Sequence, residues 1–260
     1  MTDRVHEGLL VAVLLAFIVA QAVFAAFPGI DLAVSGRFAA GTNGFPWADN
    51  APAAFNHLMR RSAEALVLMM ICWWGYGAVT GSLSRNELRA WALVPLSVAL
   101  SSGAIVNLLL KRHVGRARPS DVAEFGGSAD FTPAWQVTDE CARNCSFASG
   151  EVAMAASIAI AAVVLLWPRF GRSSARIVAV LAAMAYVGVI ALLRIGLGRH
   201  FLSDTVFSTL ISAVVVLALY RLLGIGRARL AFDPKRPLEV VGQWIEARRR
   251  HARRWLRRAS

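Results

Sequence analysis

Arg194, His200 and Asp204 lie within the stretch Arg194-Ile-Gly-Leu-Gly-Arg-His-Phe-Leu-Ser-Asp204. A carboxylate four residues after a histidine shares its helical face. Bonded to one ring nitrogen, it fixes the tautomer and leaves the other nitrogen as a nucleophile or base. The bland alternative is a snorkelling arginine beside a structural His–Asp pair. Two other segments argue for chemistry. Lys111-Arg-His-Val-Gly-Arg-Ala-Arg118-Pro119 is rich in cations. Cys145-Ser-Phe-Ala-Ser149-Gly150-Glu151 places small residues before an apolar run. Arginine's planar fork grips two phosphate oxygens, and lysine acts as a point charge. A helix opening at Ser149-Gly150 offers free backbone N–H groups and a hydroxyl, which together suit an anion. Gly150 lets the backbone come close. Phosphate is the simplest ligand for Lys111, Arg118, Ser149, Gly150 and Arg194 together. His200 opposite that phosphate predicts attack on phosphorus and a phosphohistidine intermediate. The cations stabilise the transition-state charge, so no metal and no cofactor is expected.

These residues sit at the edges of long apolar runs. The chain has 260 residues, 57% of them hydrophobic and 17% charged. Crossing a hydrocarbon core takes roughly 20 apolar residues. Six such runs occur, at about 8–27, 62–80, 90–110, 150–168, 177–196 and 204–223. Their all-round apolarity predicts transmembrane helices. The expected fold is all-α, a six-span helical membrane domain over 1–223 followed by a basic tail, 224–260. An acidic Asp3 and Glu7 beside Arg4 argue for an uncleaved first span rather than a signal peptide. Trp47, Phe55, Leu58 and Met59, interleaved with Asn50, His57, Arg60 and Arg61, predict a separate interfacial helix before the second span. His57 has no partner at helical spacing and reads as interfacial.

The net charge of +12 at first suggests nucleic acid. Its distribution argues against that partner. Arg85 and Arg89, then Arg169, Arg172 and Arg176, and finally the Arg-rich tail all fall on one parity between spans. Basic short loops mark the cytoplasmic side, which puts both termini there. The tail carries Val241, Trp244, Ile245, Ala252, Trp255, Leu256 and Ala259 on one face and arginines on the other. That pattern suits anionic lipids of the inner leaflet. On the opposite, periplasmic side, loop 111–149 is also basic, and cations there call for an anionic ligand. Cys141 and Cys145 lie in this loop, four apart; geometry decides whether they form a disulfide.

The three segments resemble the type 2 phosphatidic acid phosphatase (PAP2) superfamily. Lys111 with Arg118-Pro119 matches its first motif, and Arg194, His200 and Asp204 match its third, with Leu193 where the family usually has Ser. The resemblance implies that His200 is the nucleophile, that Asp204 orients it and that Lys111, Arg118, Ser149, Gly150 and Arg194 hold phosphate. The second motif, Pro-Ser-Gly-His, reads here Ala148-Ser149-Gly150-Glu151. The family's histidine there protonates the leaving group. Glu151 must therefore carry a proton when it acts; His113, close to Lys111, reads first as a loop histidine, with a substitute acid as the alternative. The resemblance implies a lipid phosphate substrate at the periplasmic face of a bacterial inner membrane. Surplus cations at Arg116 and Arg199, with His113, suit the large phosphorylated head group of lipid A. Undecaprenyl diphosphate and phosphatidylglycerol phosphate are the alternative substrates. A lipid-to-lipid phosphotransferase and a non-catalytic lipid-binding protein are the alternative functions.

Overall fold

A computed structural model of the chain describes residues 3–259 and, within them, the side chains of 5–246 and 248–250. Among the described residues the chain is helical; its only strand-like pairing is an isolated bridge between Val122 and Ala129. Helices α1 (Asp3–Ala26), α2 (Gly29–Ser35) and α3 (Ala51–Thr80) come first. They are followed by α4 (Arg85–His113), α5 (Gly150–Leu166), α6 (Ser173–Gly196) and α7 (Leu202–Leu222). Helix α8 (Ile225–Ala228) and the tail helix α9 (Arg236–Ala259) close the chain. Six of these, α1 and α3 to α7, are long and apolar enough to cross a membrane.

Helices α5 and α7 form the buried centre, and α1 and α6 present most of their surface outward. Helix α5 packs between α6 and α7, while α1 lies on α7 and α3 on α4. The α5 face is built from Ala153, Ala155, Ala156, Ala159 and Ala161. Such small residues let helices approach closely. Polar contacts lock the approach: Ser101 pairs with Ser157 at 2.6 Å, and Ser212 donates to the Ala153 carbonyl at 2.9 Å.

The second span differs from the sequence expectation. The interfacial helix and the span are one helix, Ala51–Thr80. Pro52 stands in its first turn, where a missing N–H costs nothing. No proline follows before Thr80, so nothing separates the amphipathic start from the apolar remainder. The short helix α2 was not expected. Helix α4 begins in a capping box: Ser84 accepts from the Glu87 amide, and Glu87 accepts from the Ser84 amide. After Pro95 its turns widen to π over Ala99–Leu110, bringing Ser102 within 2.8 Å of the Gly150 carbonyl.

The end of α4, the start of α5, the end of α6 and the start of α7 meet at one end of the bundle. The opposite end carries Ser84 and α8. There Arg236 of α9 pairs with Glu87 at 2.7 Å. On the tail helix Val241, Trp244 and Ile245 are exposed. The side chains of Ala252, Trp255, Leu256 and Ala259 lie outside the described residues.

Candidate active site

The turn from α6 to α7 carries the predicted nucleophile. Arg194 accepts from the Arg199 and His200 amides through its backbone carbonyl, at 3.0 and 3.2 Å, which reverses the chain. Gly198 sits at φ +65°, a left-handed conformation that favours glycine. A Cβ at Gly198 would meet the ring of Phe45, and one at Gly196 the ring of Trp47. Aromatic residues of segment 45–47 thus seat this turn.

His200 is buried, and its Nδ1 hydrogen-bonds the Ser146 carbonyl at 2.7 Å. A carbonyl only accepts, so Nδ1 carries the proton and Nε2 the lone pair. Asp204 Oδ2 stands farther off, 3.6 Å from Nδ1. The carboxylate accepts from Ser146 Oγ at 2.5 Å and from the Phe201 amide at 2.8 Å. Asp204 therefore orients His200 mainly by holding Ser146, a residue sequence reasoning passed over. Burial, followed by the nearby Arg194 and Lys111 charges, lowers the pKa of His200 to about 3 against the pull of Asp204. Its ring is neutral at physiological pH.

His200 opens onto a cavity of about 550 Å³. Lys111, Arg118, Gly150, Glu151, Arg194 and Arg199 share its wall. Arg118 gives Nε and Nη2 to the Asn144 carbonyl, at 3.0 and 2.6 Å. Burial, and then the neighbouring Arg199, push its guanidinium pKa below the usual value. The buried Nε of Arg194 has no hydrogen-bond partner among the described residues, while that of Arg60 stands 3.6 Å from Glu64. Buried polar groups are almost always satisfied. An unsatisfied arginine donor beside His200 suits an anionic ligand.

Several expectations need correction. Arg116 does not contact head groups. It is fully buried, donating to Asp204 at 2.6 Å, Asp31 at 2.8 Å, Ser203 at 2.9 Å and the Thr132 carbonyl at 2.8 Å. Ser149 does not line the cavity. Its hydroxyl is buried and caps α5 by accepting from the Val152 amide. His113 is exposed, bonds the Leu109 carbonyl and lies off the cavity wall, so it is no substitute acid. Glu151 does face the cavity, but in ion pairs with Arg194 at 3.1 Å and Arg60 at 3.8 Å. His57, read from sequence as merely interfacial, lines the cavity too, together with Asn107.

Cys141 and Cys145 form a disulfide with Cα atoms 5.5 Å apart. It closes the loop whose Asn144 carbonyl holds Arg118, next to the Ser146 that holds His200. Replacing both cysteines by serine is expected to lower kcat/KM by about tenfold, since small misplacements of reacting groups are costly. The midpoint of thermal unfolding should fall by several degrees, because closing even so short a loop is worth about 2 kcal/mol. Steady-state kinetics and a melting curve in detergent check this.

Comparison with known proteins adds to the geometry. A family model described as the PAP2 superfamily matches residues 91–225. A lipid A 4'-phosphatase of Rhizobium leguminosarum is 33% identical over 223 residues, covering 77% of this chain and 90% of the relative. Its counterpart in Rhizobium etli is 32% identical over 221 residues, covering 77% of this chain and 82% of the relative. One from Francisella tularensis subsp. novicida is 25% identical over 209 residues, covering 77% and 89%. Among solved structures, a transmembrane PAP2 type phosphatidylglycerolphosphate phosphatase from Bacillus subtilis superposes with a TM-score of 0.54 at 19% identity. It covers 82% of this chain and 94% of that one.

Proposed function

Because the chain belongs to the PAP2 superfamily, we propose that this multi-pass membrane lipid phosphatase removes a phosphate monoester from lipid A. The carrying observation is the cavity in which Lys111, Arg118 and Arg194 surround His200. The cations hold the phosphate and spread its transition-state charge. His200 Nε2 attacks phosphorus, the ester oxygen leaves, and water then hydrolyses the phosphohistidine. Ser146 and Asp204 keep the imidazole in the attacking tautomer. Gly150 supports the same pocket: a Cβ there would meet the Asn107 carboxamide.

Lipid A is the substrate that the named relatives support, and Arg199 on the cavity wall suits a head group with more than one anionic group. The site faces the periplasm, and both termini lie in the cytoplasm. The basic short loops support that orientation, as does α9 docked on Glu87 at the end opposite the cavity. Exposed Val241, Trp244 and Ile245 beside Arg248, Arg249 and Arg250 suit α9 to anionic lipids of the inner leaflet.

Phosphate release from purified lipid A, undecaprenyl diphosphate and phosphatidylglycerol phosphate, with and without vanadate, tests the reading. Fastest release from lipid A, inhibited by vanadate, is expected. Release confined to another of these lipids would overturn the substrate assignment.

A further inference from the structure

Cleaving an alkyl phosphate expels an alkoxide, which needs a proton as it leaves. Glu151 is badly placed to give one. Its Oε1 is the shared acceptor of Arg194 and Arg60, and an ion-paired carboxylate is an anchor rather than a donor. Glu64, the other carboxyl on the cavity wall, is bound to Arg60 at 3.6 Å and Arg61 at 3.1 Å. The described histidines narrow the choice further. His6 bonds the Leu217 carbonyl and, like the exposed His113, lies off the cavity wall. His200 is the attacking group. His57 remains. It lines the cavity with His200 and Glu151. It lies on α3 one turn before Arg60, on a face that presents Ala53, Asn56, His57, Arg60 and Glu64 to the cavity. Since Arg60 reaches Glu151 at the start of α5, this face of α3 stands beside the phosphate pocket. An imidazole both gives and takes a proton near neutral pH.

Resting on the phosphatase reading above, we infer that His57 is the acid and base of the reaction, and that Glu151 anchors Arg194 and Arg60. In the first step His200 Nε2 forms a bond to phosphorus, the P–O ester bond breaks, and the leaving oxygen takes a proton from the His57 imidazolium. In the second step neutral His57 takes a proton from water. The water oxygen bonds phosphorus, the N–P bond breaks, and phosphate leaves with His200 and His57 restored.

Leaving-group dependence separates this role from a structural one. His57→Gln, Glu151→Gln and His200→Ala are each assayed on lipid A and on p-nitrophenyl phosphate, whose weakly basic leaving group needs no proton. His57 is exposed to the cavity, so glutamine there keeps the packing, and a melting curve verifies it. For His57→Gln, the first-turnover rate on lipid A is expected to fall about 100-fold or more, while the burst of p-nitrophenol from p-nitrophenyl phosphate changes at most about fivefold and only the later steady turnover slows. Glu151→Gln should depress both substrates alike, mainly through KM. Equal losses in the first-turnover rate on both substrates for His57→Gln, or no loss on either, would overturn the assignment. So would a loss confined to lipid A in Glu151→Gln. If His200→Ala keeps activity on both substrates, the phosphatase site itself is misplaced, which is a separate failure.

Discussion

Replacing His200 by alanine is expected to cut lipid phosphatase activity by about 10⁴-fold or more, because in the proposed double displacement His200 makes the first bond to phosphorus. The surroundings of His200 support so large an effect. The ring is buried, its Nδ1 is committed to the Ser146 carbonyl, and His200 borders the cation-lined cavity. Substrate binding should survive, since Lys111, Arg118 and Arg194 are untouched, so kcat falls and KM changes little. The protonation behaviour has a definite sign. With a pKa lowered to about 3, the ring keeps its lone pair as pH falls from neutrality and loses it only near 3. An NMR titration of His200 should therefore show no inflection near the ordinary imidazole value of about 6.5. An inflection there would mean that the ring is far more hydrated than its burial indicates.

Replacing Arg116 by alanine is expected to destabilise the fold by about 3–5 kcal/mol, the cost of leaving buried charge without its partner. Two carboxylates depend on this one guanidinium, Asp204 at 2.6 Å and Asp31 at 2.8 Å. The three groups tie α2, the loop after α4 and the start of α7 into one unit. Ser203 joins them by donating its amide to Asp31 at 2.8 Å. Arg116 also accepts from the Ser146 amide through its own carbonyl at 2.9 Å, so the loss reaches the group that orients His200. Arg116→Lys keeps the charge but not the fork. That variant should remain folded and lose about tenfold in kcat, with KM nearly unchanged, because the proposed phosphate-binding groups are elsewhere. Chemical denaturation in detergent and steady-state kinetics distinguish the two variants. Wild-type stability in Arg116→Ala would contradict the buried network.

The sequence made the spans legible because apolarity over some 20 residues is a local signal. Lys111, Arg118, Gly150, Arg194 and His200 were also legible, because their spacing within short segments and the parity of the spans put them on one face. The helix boundaries were less so. A polar stripe on α3 read as an interfacial helix, whereas Asn56, His57, Arg60 and Glu64 line the cavity. Long-range pairing was hidden. Arg116 looked like one more free cation, whereas it is buried between Asp204 and Asp31, the latter far back in the chain on an unexpected helix. Glu151 stood out as the departure from the second motif, but its partner Arg60 comes from another helix. Ser149 matched too, yet a serine ahead of a helix is as well suited to capping as to binding an anion. Ser146 showed no signal beyond its closeness to the second motif.

The most direct test of the account is mass spectrometry of the protein after rapid acid-free quenching with lipid A. One added phosphoryl group is expected on the peptide containing His200, absent from His200→Ala and formed as fast as the first turnover. Steady phosphate release with no such adduct at any quench time, or an adduct on another residue, would contradict it.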